Sequence, residues 1–92
     1  MRAEMKSEII DDLLKMAVKN ARKVVDVKEL GERTLLIEDL GYDSIDFMEL
    51  IIQIEGKYDV EFGGTEILLS NLNSINIISD FIQKKLQERK DG

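Results

Sequence analysis

Apolar residues recur with a helical period in two parts of the chain, one near each end. Across residues 6–25 they fall every three or four positions, and the same spacing runs from Ile75 to Leu86. Because one face of an α-helix repeats about every 3.6 residues, both regions are predicted to form amphipathic helices. Ser74 is a suitable N-cap for the second of them. The opposite face of the first helix carries mixed charges and is predicted to be solvated: Asp11, Asp12, Lys15, Lys19, Arg22 and Lys23.

Another helix is predicted over residues 44–58, in the middle of the chain. Asp43 is a good N-cap for it, and Asp46 stands three residues later, as the second member of a capping box does. Gly41 supplies the backbone freedom that a tight turn before the helix needs. On a helical wheel, the arc expected to face the core contains Phe47, Leu50, Ile51, Ile54 and Tyr58.

The same helix carries a second apolar stripe on a different side, formed by Ile45, Met48 and Ile52 and flanked by Glu49 and Glu55. A helix in a small domain has little reason to expose two apolar faces unless the second one meets a partner. The stripe is therefore predicted to bind another protein. The remaining polar surface of the helix is expected to consist of Asp46, Gln53 and Lys57.

The segments that connect these helices predict one loop and one short helix. Residues 26–39 lack a long period and are expected to form a long loop that crosses the domain, held by apolar anchors. Val60 and Phe62 alternate with acids, as in a brief extended segment, and residues 65–69 are predicted to be a short third helix. The expected loop anchors are Leu30, Leu35, Leu36 and Ile37.

These elements predict an all-α fold, a small four-helix bundle with three longer helices, one short third helix and a long loop between helices one and two. The 92 residues suffice for a single domain with one modest core, expected over about residues 6–87. No apolar run approaches the length of a membrane span, and the amino end lacks the apolar core of a signal peptide. We therefore expect a cytoplasmic protein, and a monomer.

Composition excludes most catalytic and metal chemistry. The chain contains no Cys and no His, which removes thiolate nucleophiles, disulfides, zinc sites of the usual Cys/His kind and imidazole general bases. We therefore expect no enzymatic activity, no catalytic residue and no metal site. The net charge of −6 argues against nucleic acid as a partner and favours proteins with basic surfaces.

Ser44 lies at the head of the central helix. Free backbone N–H groups and the positive end of the helix dipole favour an anionic substituent, such as phosphate, at this place. A serine near a helix start is nevertheless common, and from these residues alone a plain capping role is the simpler interpretation.

The residues around this serine change that interpretation. Their order and spacing resemble the phosphopantetheine attachment signature of acyl carrier proteins. The signature is carried by Glu38-Asp39-Leu40-Gly41, then Asp43-Ser44-Ile45, then Asp46, Glu49-Leu50 and Glu55.

The resemblance implies that the Ser44 hydroxyl is esterified by 4′-phosphopantetheine from coenzyme A, with Asp43 in the flanking motif. The thiol of this arm would hold acyl intermediates as thioesters and shuttle them between enzymes of fatty acid, polyketide or related specialised biosynthesis. The implied partners are a phosphopantetheinyl transferase and acyl-transferring, condensing or adenylating enzymes with basic docking patches. The residues expected to contact them are Ile45, Asp46, Met48, Glu49, Ile52 and Glu55.

Three positions in the central helix depart from the family pattern. Gly56 and Lys57 stand where acids are usual, which thins the acidic surface of the central helix. Phe47 stands where a smaller residue is common, and it either fills space that a long acyl chain would enter or simply belongs to the core.

The alternative function is an unmodified, carrier-like interaction module that binds a partner protein through the central helix.

Overall fold

A computed structural model of the protein describes residues 6–63 and 72–91. Four α-helices and one 3₁₀ helix form within these ranges, and no strand does, so the all-α prediction is confirmed. The predicted short helix at residues 65–69 lies outside the described residues. The helices are α1 (Lys6–Lys19), the 3₁₀ helix (Val27–Glu29), α2 (Leu36–Leu40), α3 (Ser44–Tyr58) and α4 (Ile75–Asp91).

The core is built from one face of each long helix and from the two ends of α2. The apolar arc predicted for α3 is confirmed at four of its five positions, while Phe47 is half-buried and packs against the edge of the core. Val60 and Phe62 are buried and alternate with exposed acids, as expected. The side chains with no exposed surface are Ile9, Leu13, Ala17, Leu36, Leu40, Leu50, Ile54, Ile75, Ile78 and Ile82, together with Ser79.

Helix α1 ends at Lys19, and the prediction that it continues to residue 25 is wrong. Beyond this point the backbone N–H groups of Arg22 and Lys23 donate to the carbonyl of Leu40, at 2.9 and 3.3 Å. Ala21 and Val25, the last apolar residues of the predicted period, are half-buried and pack against the core from outside the helix. Tertiary hydrogen bonds to the segment before α3 have replaced the last helical turn.

The connection between α1 and α3 was predicted to be a single long loop. This is wrong, because residues 36–40 form α2. The carboxylate of Asp39 accepts a hydrogen bond from the backbone N–H of Leu35 at 2.8 Å, which helps to close the first turn of this short helix. Leu36 is fully buried, while Leu30 and Leu35 are half-buried. Ile37 was predicted to be an anchor, and this is wrong, since 59% of its surface is exposed.

The turn before α4 binds the start of α2 and thereby holds it in place. The backbone N–H of Leu36 donates to the carbonyl of Asn73 at 2.8 Å, and the N–H of Ile37 donates to the Asn73 side chain at 2.8 Å. The N–H of Ile75 donates in turn to the carbonyl of Thr34 at 3.1 Å. Because α2 leads directly into α3, these bonds position the amino end of the central helix.

Candidate functional site

Helix α3 begins at Ser44, as predicted, and the capping box is confirmed. The carboxylate of Asp43 accepts from the backbone N–H of Asp46 at 2.9 Å, and the carboxylate of Asp46 accepts from the N–H of Asp43 at 3.1 Å. Two of the free N–H groups at this helix end are thus satisfied by carboxylates. Since Asp43 is the cap, the plain capping role considered for Ser44 is wrong, and Ser44 is the first residue of the helix.

The Ser44 side chain is exposed. Within residues 6–63 and 72–91 its hydroxyl has no hydrogen-bond partner. Because Ser44 is the first residue of α3, its hydroxyl lies at the positive end of the helix, where the helix dipole would stabilise an attached phosphate. A solvent-borne phosphate donor can reach this oxygen without displacing a contact among the described residues.

Arg22 binds both carboxylates of the capping box, a role that the sequence did not indicate. Its Nε lies 2.6 Å from Asp46 Oδ2, and its Nη2 lies 3.3 Å from Asp46 Oδ1 and 3.1 Å from Asp43 Oδ2. The two partners of the bidentate pair are 24 residues apart in the chain, so no local pattern could reveal it. Arg22 was expected on the solvated face of the first helix. Its side chain is exposed, as expected, but it lies beyond the end of α1 and joins this segment to the start of α3.

Asp46 was predicted to lie on the polar surface of α3, and this is wrong because the residue is only 7% exposed. The Arg22 guanidinium, hydrogen-bonded to its carboxylate, lowers the pKa of Asp46, and the N–H of Asp43 lowers it further. Asp46 therefore stays ionised to a lower pH than an unpaired aspartate does. Its carboxylate is held at the helix start by Arg22 and by the N–H of Asp43.

Tyr42 and Gly41 fix the turn that precedes Ser44. The buried Tyr42 hydroxyl donates to the carbonyl of Ala17 at 2.6 Å, and loss of water around the ring raises the pKa of this phenol. Gly41 ends α2 with a φ of 74°, a left-handed conformation that side chains disfavour. Lys23 packs over it and donates from Nζ to the carbonyl of Glu38 at 2.7 Å. Ala17 in α1 and Lys23 in the segment after it thus hold the turn that presents Ser44.

The second apolar stripe of α3 is exposed, as predicted. The exposed fractions are 64% for Ile45, 46% for Met48 and 62% for Ile52. Glu49 beside it is exposed as well, but Glu55 is half-buried and its carboxylate accepts from the N–H of Phe62 at 2.9 Å. The surface next to Ser44 is therefore more apolar and less acidic than the sequence suggested.

Within residues 6–63 and 72–91, no three Asp or Glu side chains are grouped closely enough to hold a metal ion. None of the described helices has the length and apolar character needed to cross a membrane.

Comparison with known proteins gives consistent matches. Residues 11–82 match the family described as phosphopantetheine attachment site. An acyl carrier protein of Campylobacter curvus is 34% identical over 76 residues, which cover 83% of this chain and 94% of that protein. An acyl carrier protein of Thermotoga maritima is 32% identical over 62 residues, or 67% of this chain and 74% of that protein. One of Buchnera aphidicola is 43% identical over 49 residues, or 53% and 59%.

Proposed function

This chain belongs to the family of acyl carrier proteins, whose covalent cofactor is 4′-phosphopantetheine, and from that premise we propose that Ser44 is the attachment residue. The loaded protein then holds acyl groups as thioesters on the thiol of the arm and shuttles them between biosynthetic enzymes. The protein is a carrier and not an enzyme, so each chemical step belongs to a partner. Fatty acid, polyketide and related specialised pathways all fit this role.

The observation that carries the proposal is an exposed hydroxyl on the first residue of α3. The other described serines are poorer candidates. Ser79 is fully buried and donates to the carbonyl of Asn76, while the Ser74 oxygen lies 3.4 Å from the N–H of Ile77 at the start of α4. Ser7 is exposed but falls outside residues 11–82, the part that matches the family.

The loading step is a phosphoryl transfer from coenzyme A. The Ser44 oxygen would form an O–P bond to the phosphorus that bears the pantetheine group as the diphosphate bridge of coenzyme A breaks. Adenosine 3′,5′-bisphosphate would leave with the electron pair of the broken bond, and the hydroxyl proton would pass to a base of the transferase. Free N–H groups in the first turn of α3 favour the negative charge of the product. Arg22 offsets repulsion between that charge and the neighbouring Asp43 and Asp46.

We further propose that partner enzymes contact α3 through Ile45, Met48 and Ile52, with Glu49 and the exposed part of Glu55 at the rim. An apolar centre with a charged rim is the usual composition of a protein interface. The net charge of −6 speeds encounter with basic docking patches. Asp46 is omitted from this surface because its carboxylate is held by Arg22.

Intact-mass measurement after co-expression with a phosphopantetheinyl transferase tests the attachment residue. We expect the mass to rise by one phosphopantetheinyl group in the parent chain and in the Ser7→Ala variant, and not in Ser44→Ala. An unchanged mass of the parent chain with several transferases would favour the unmodified interaction module. A modified Ser44→Ala protein would assign the arm to another residue.

The docking surface is tested with the same transferase. Ile52→Asp places a charge in the apolar stripe, and we expect a raised KM for the carrier with little change in kcat, because docking and not chemistry is disturbed. Gln53→Asp, on the neighbouring exposed position, is the matched control for added charge and should leave KM within about twofold. Equal effects of the two variants would contradict the proposed stripe.

A further inference from the structure

An open cleft lies in the connection between α1 and α2, apart from the stripe on α3. Its volume is about 620 Å³, and neither Ser44 nor any residue of α3 lines it. Val24, Val25 and Leu30 form its apolar part. The charged lining residues are Asp26, Glu29, Glu32, Asp39 and Arg33.

The walls of the cleft are held by local hydrogen bonds. The carboxylate of Asp26 accepts from the N–H of Lys28 at 3.0 Å and caps the 3₁₀ helix. The N–H of Gly31 donates to the Thr34 hydroxyl at 2.9 Å, and the N–H of Thr34 returns a bond to the carbonyl of Gly31 at 3.0 Å. A surface fixed in this way loses little conformational entropy when it binds. These bonds hold the segment that lines the cleft at its two turns.

The cleft also exposes apolar surface that the fold does not use. Val24 is fully exposed although it borders a concave surface, and the nearby Val27 is 48% exposed. Leu30, which also lines the cleft, is half-buried. Single exposed apolar residues need no explanation, but two valines beside the apolar part of this cleft offer a place for an aliphatic side chain of a partner.

Charge restricts what that partner can be. Four carboxylates and one guanidinium line the cleft, a local net charge of −3 (four negative, one positive). A second copy of this chain, with its net charge of −6, is repelled, and so is nucleic acid. A protein segment that carries Lys or Arg is attracted, and its cations can lie against Glu29 and Glu32, both of which are exposed.

We propose that this cleft is a second docking site, for a segment of a partner protein that inserts an aliphatic side chain beside Val24 and Leu30 and sets Lys or Arg against Glu29 and Glu32. The site is separate from the α3 stripe and does not require the arm on Ser44. A partner that engages both surfaces at once gains avidity over one that engages α3 alone. The cleft would thus distinguish partners that share a similar α3-binding patch.

The test uses ¹⁵N-labelled full-length Ser44→Ala protein, so that loading has no influence, and a synthetic peptide with Lys and Leu at helical spacing. Amide shifts are followed during titration. We expect the largest shifts within residues 24–34. Replacing Lys by Glu in the peptide should abolish binding, and replacing Leu by Ser should weaken it about tenfold or more.

Variants of the protein separate the cleft from general acidity. Glu29→Lys combined with Glu32→Lys should weaken binding about tenfold, and Val24→Ser should weaken it severalfold. Both glutamates and Val24 are exposed, so these changes should leave the unfolding temperature nearly unchanged. Asp11→Lys combined with Glu61→Lys, at two exposed acids outside both proposed docking surfaces, is the matched control for charge and should leave the shifts in residues 24–34 intact. The proposal is overturned if the peptide causes no shifts, if they occur only on α3, or if the double charge reversal has no effect.

Discussion

Gly41 gives the sharpest prediction about how Ser44 is presented. It ends α2 with a φ of 74°, and a Cβ placed on it would lie 3.1 Å from Cγ of Lys23. Gly56 provides a matched control within the same chain. It lies in α3, is exposed, and a Cβ there would meet no atom within 4 Å. We expect Gly41→Ala to destabilise the fold and Gly56→Ala to stabilise it.

The magnitude for Gly41→Ala follows from three contributions to the free energy of unfolding. A left-handed conformation costs an L-residue about 1–2 kcal/mol. Ala also restricts the conformations of the unfolded chain, which raises the free energy of unfolding by about 0.4–1 kcal/mol. The close approach to Lys23 adds a small cost, because moving that side chain disturbs its bond to the Glu38 carbonyl. The net loss is about 1 kcal/mol, which lowers the unfolding temperature by about 4–8 °C in a domain of this size.

The control has the opposite sign. Replacing Gly by Ala inside a helix gains about 0.5–1 kcal/mol, so Gly56→Ala should raise the unfolding temperature by a few degrees. Both variants are measured by thermal and urea unfolding, followed by far-UV circular dichroism. The reasoning is refuted if Gly41→Ala is as stable as the parent chain, or if the two substitutions shift the unfolding temperature in the same direction.

The remaining predictions concern the helix start and the core. Asp43→Ala removes the cap of α3 and should cost about 1 kcal/mol, while Ser44→Ala should change stability by less than about 0.5 kcal/mol in urea unfolding. Because the folded-state pKa of Asp46 lies below its ordinary value of 3.8, its ionised form adds stability above that pH, and this stability is lost as pH falls through the folded-state pKa. When urea unfolding is measured at a series of pH values, the free energy of unfolding of Arg22→Met should fall less steeply with decreasing pH than that of the parent chain. Ile54→Ala opens the core and should cost about 2–5 kcal/mol.

Each of these has an outcome that would contradict it. Equal losses for Asp43→Ala and Ser44→Ala would mean that the serine shares the capping role. If the free energy of unfolding of Arg22→Met falls with decreasing pH as steeply as that of the parent chain, other carboxylates determine the loss of stability in acid. A loss below about 1 kcal/mol for Ile54→Ala would mean that the core refills the space by shifting.

Much of α3 could be predicted because its determinants are local. A capping box needs only two acids at the right spacing, and Asp43 and Asp46 supply them. The two apolar faces follow from a period that every residue of the helix shares, so the exposed Ile45, Met48 and Ile52 were identified together. The attachment signature around Ser44 is likewise contiguous in the chain.

The errors have a common cause, which is competition from distant parts of the chain. Ala21 and Val25 continue the apolar period of α1, yet the helix ends at Lys19, and the N–H groups of Arg22 and Lys23 donate to Leu40 instead. Ile37 is apolar and lies beside the buried Leu36, but α2 turns it outward. Hydrophobic periodicity carries no information about either contact, since each depends on how separate segments pack.

The same competition redistributes the acidic charge of the protein. Four acids around α3 resemble a docking surface in the sequence. In the structure Asp43 and Asp46 bind Arg22, and Glu55 binds the N–H of Phe62. Of the four, only Glu49 is exposed and makes no such contact among the described residues. Contacts at α3 should then depend chiefly on apolar burial, which salt affects little. Contacts at the cleft, which lies among four carboxylates, should weaken steeply with salt. Ionic strength therefore offers a way to separate partners that use α3 alone from partners that use both surfaces.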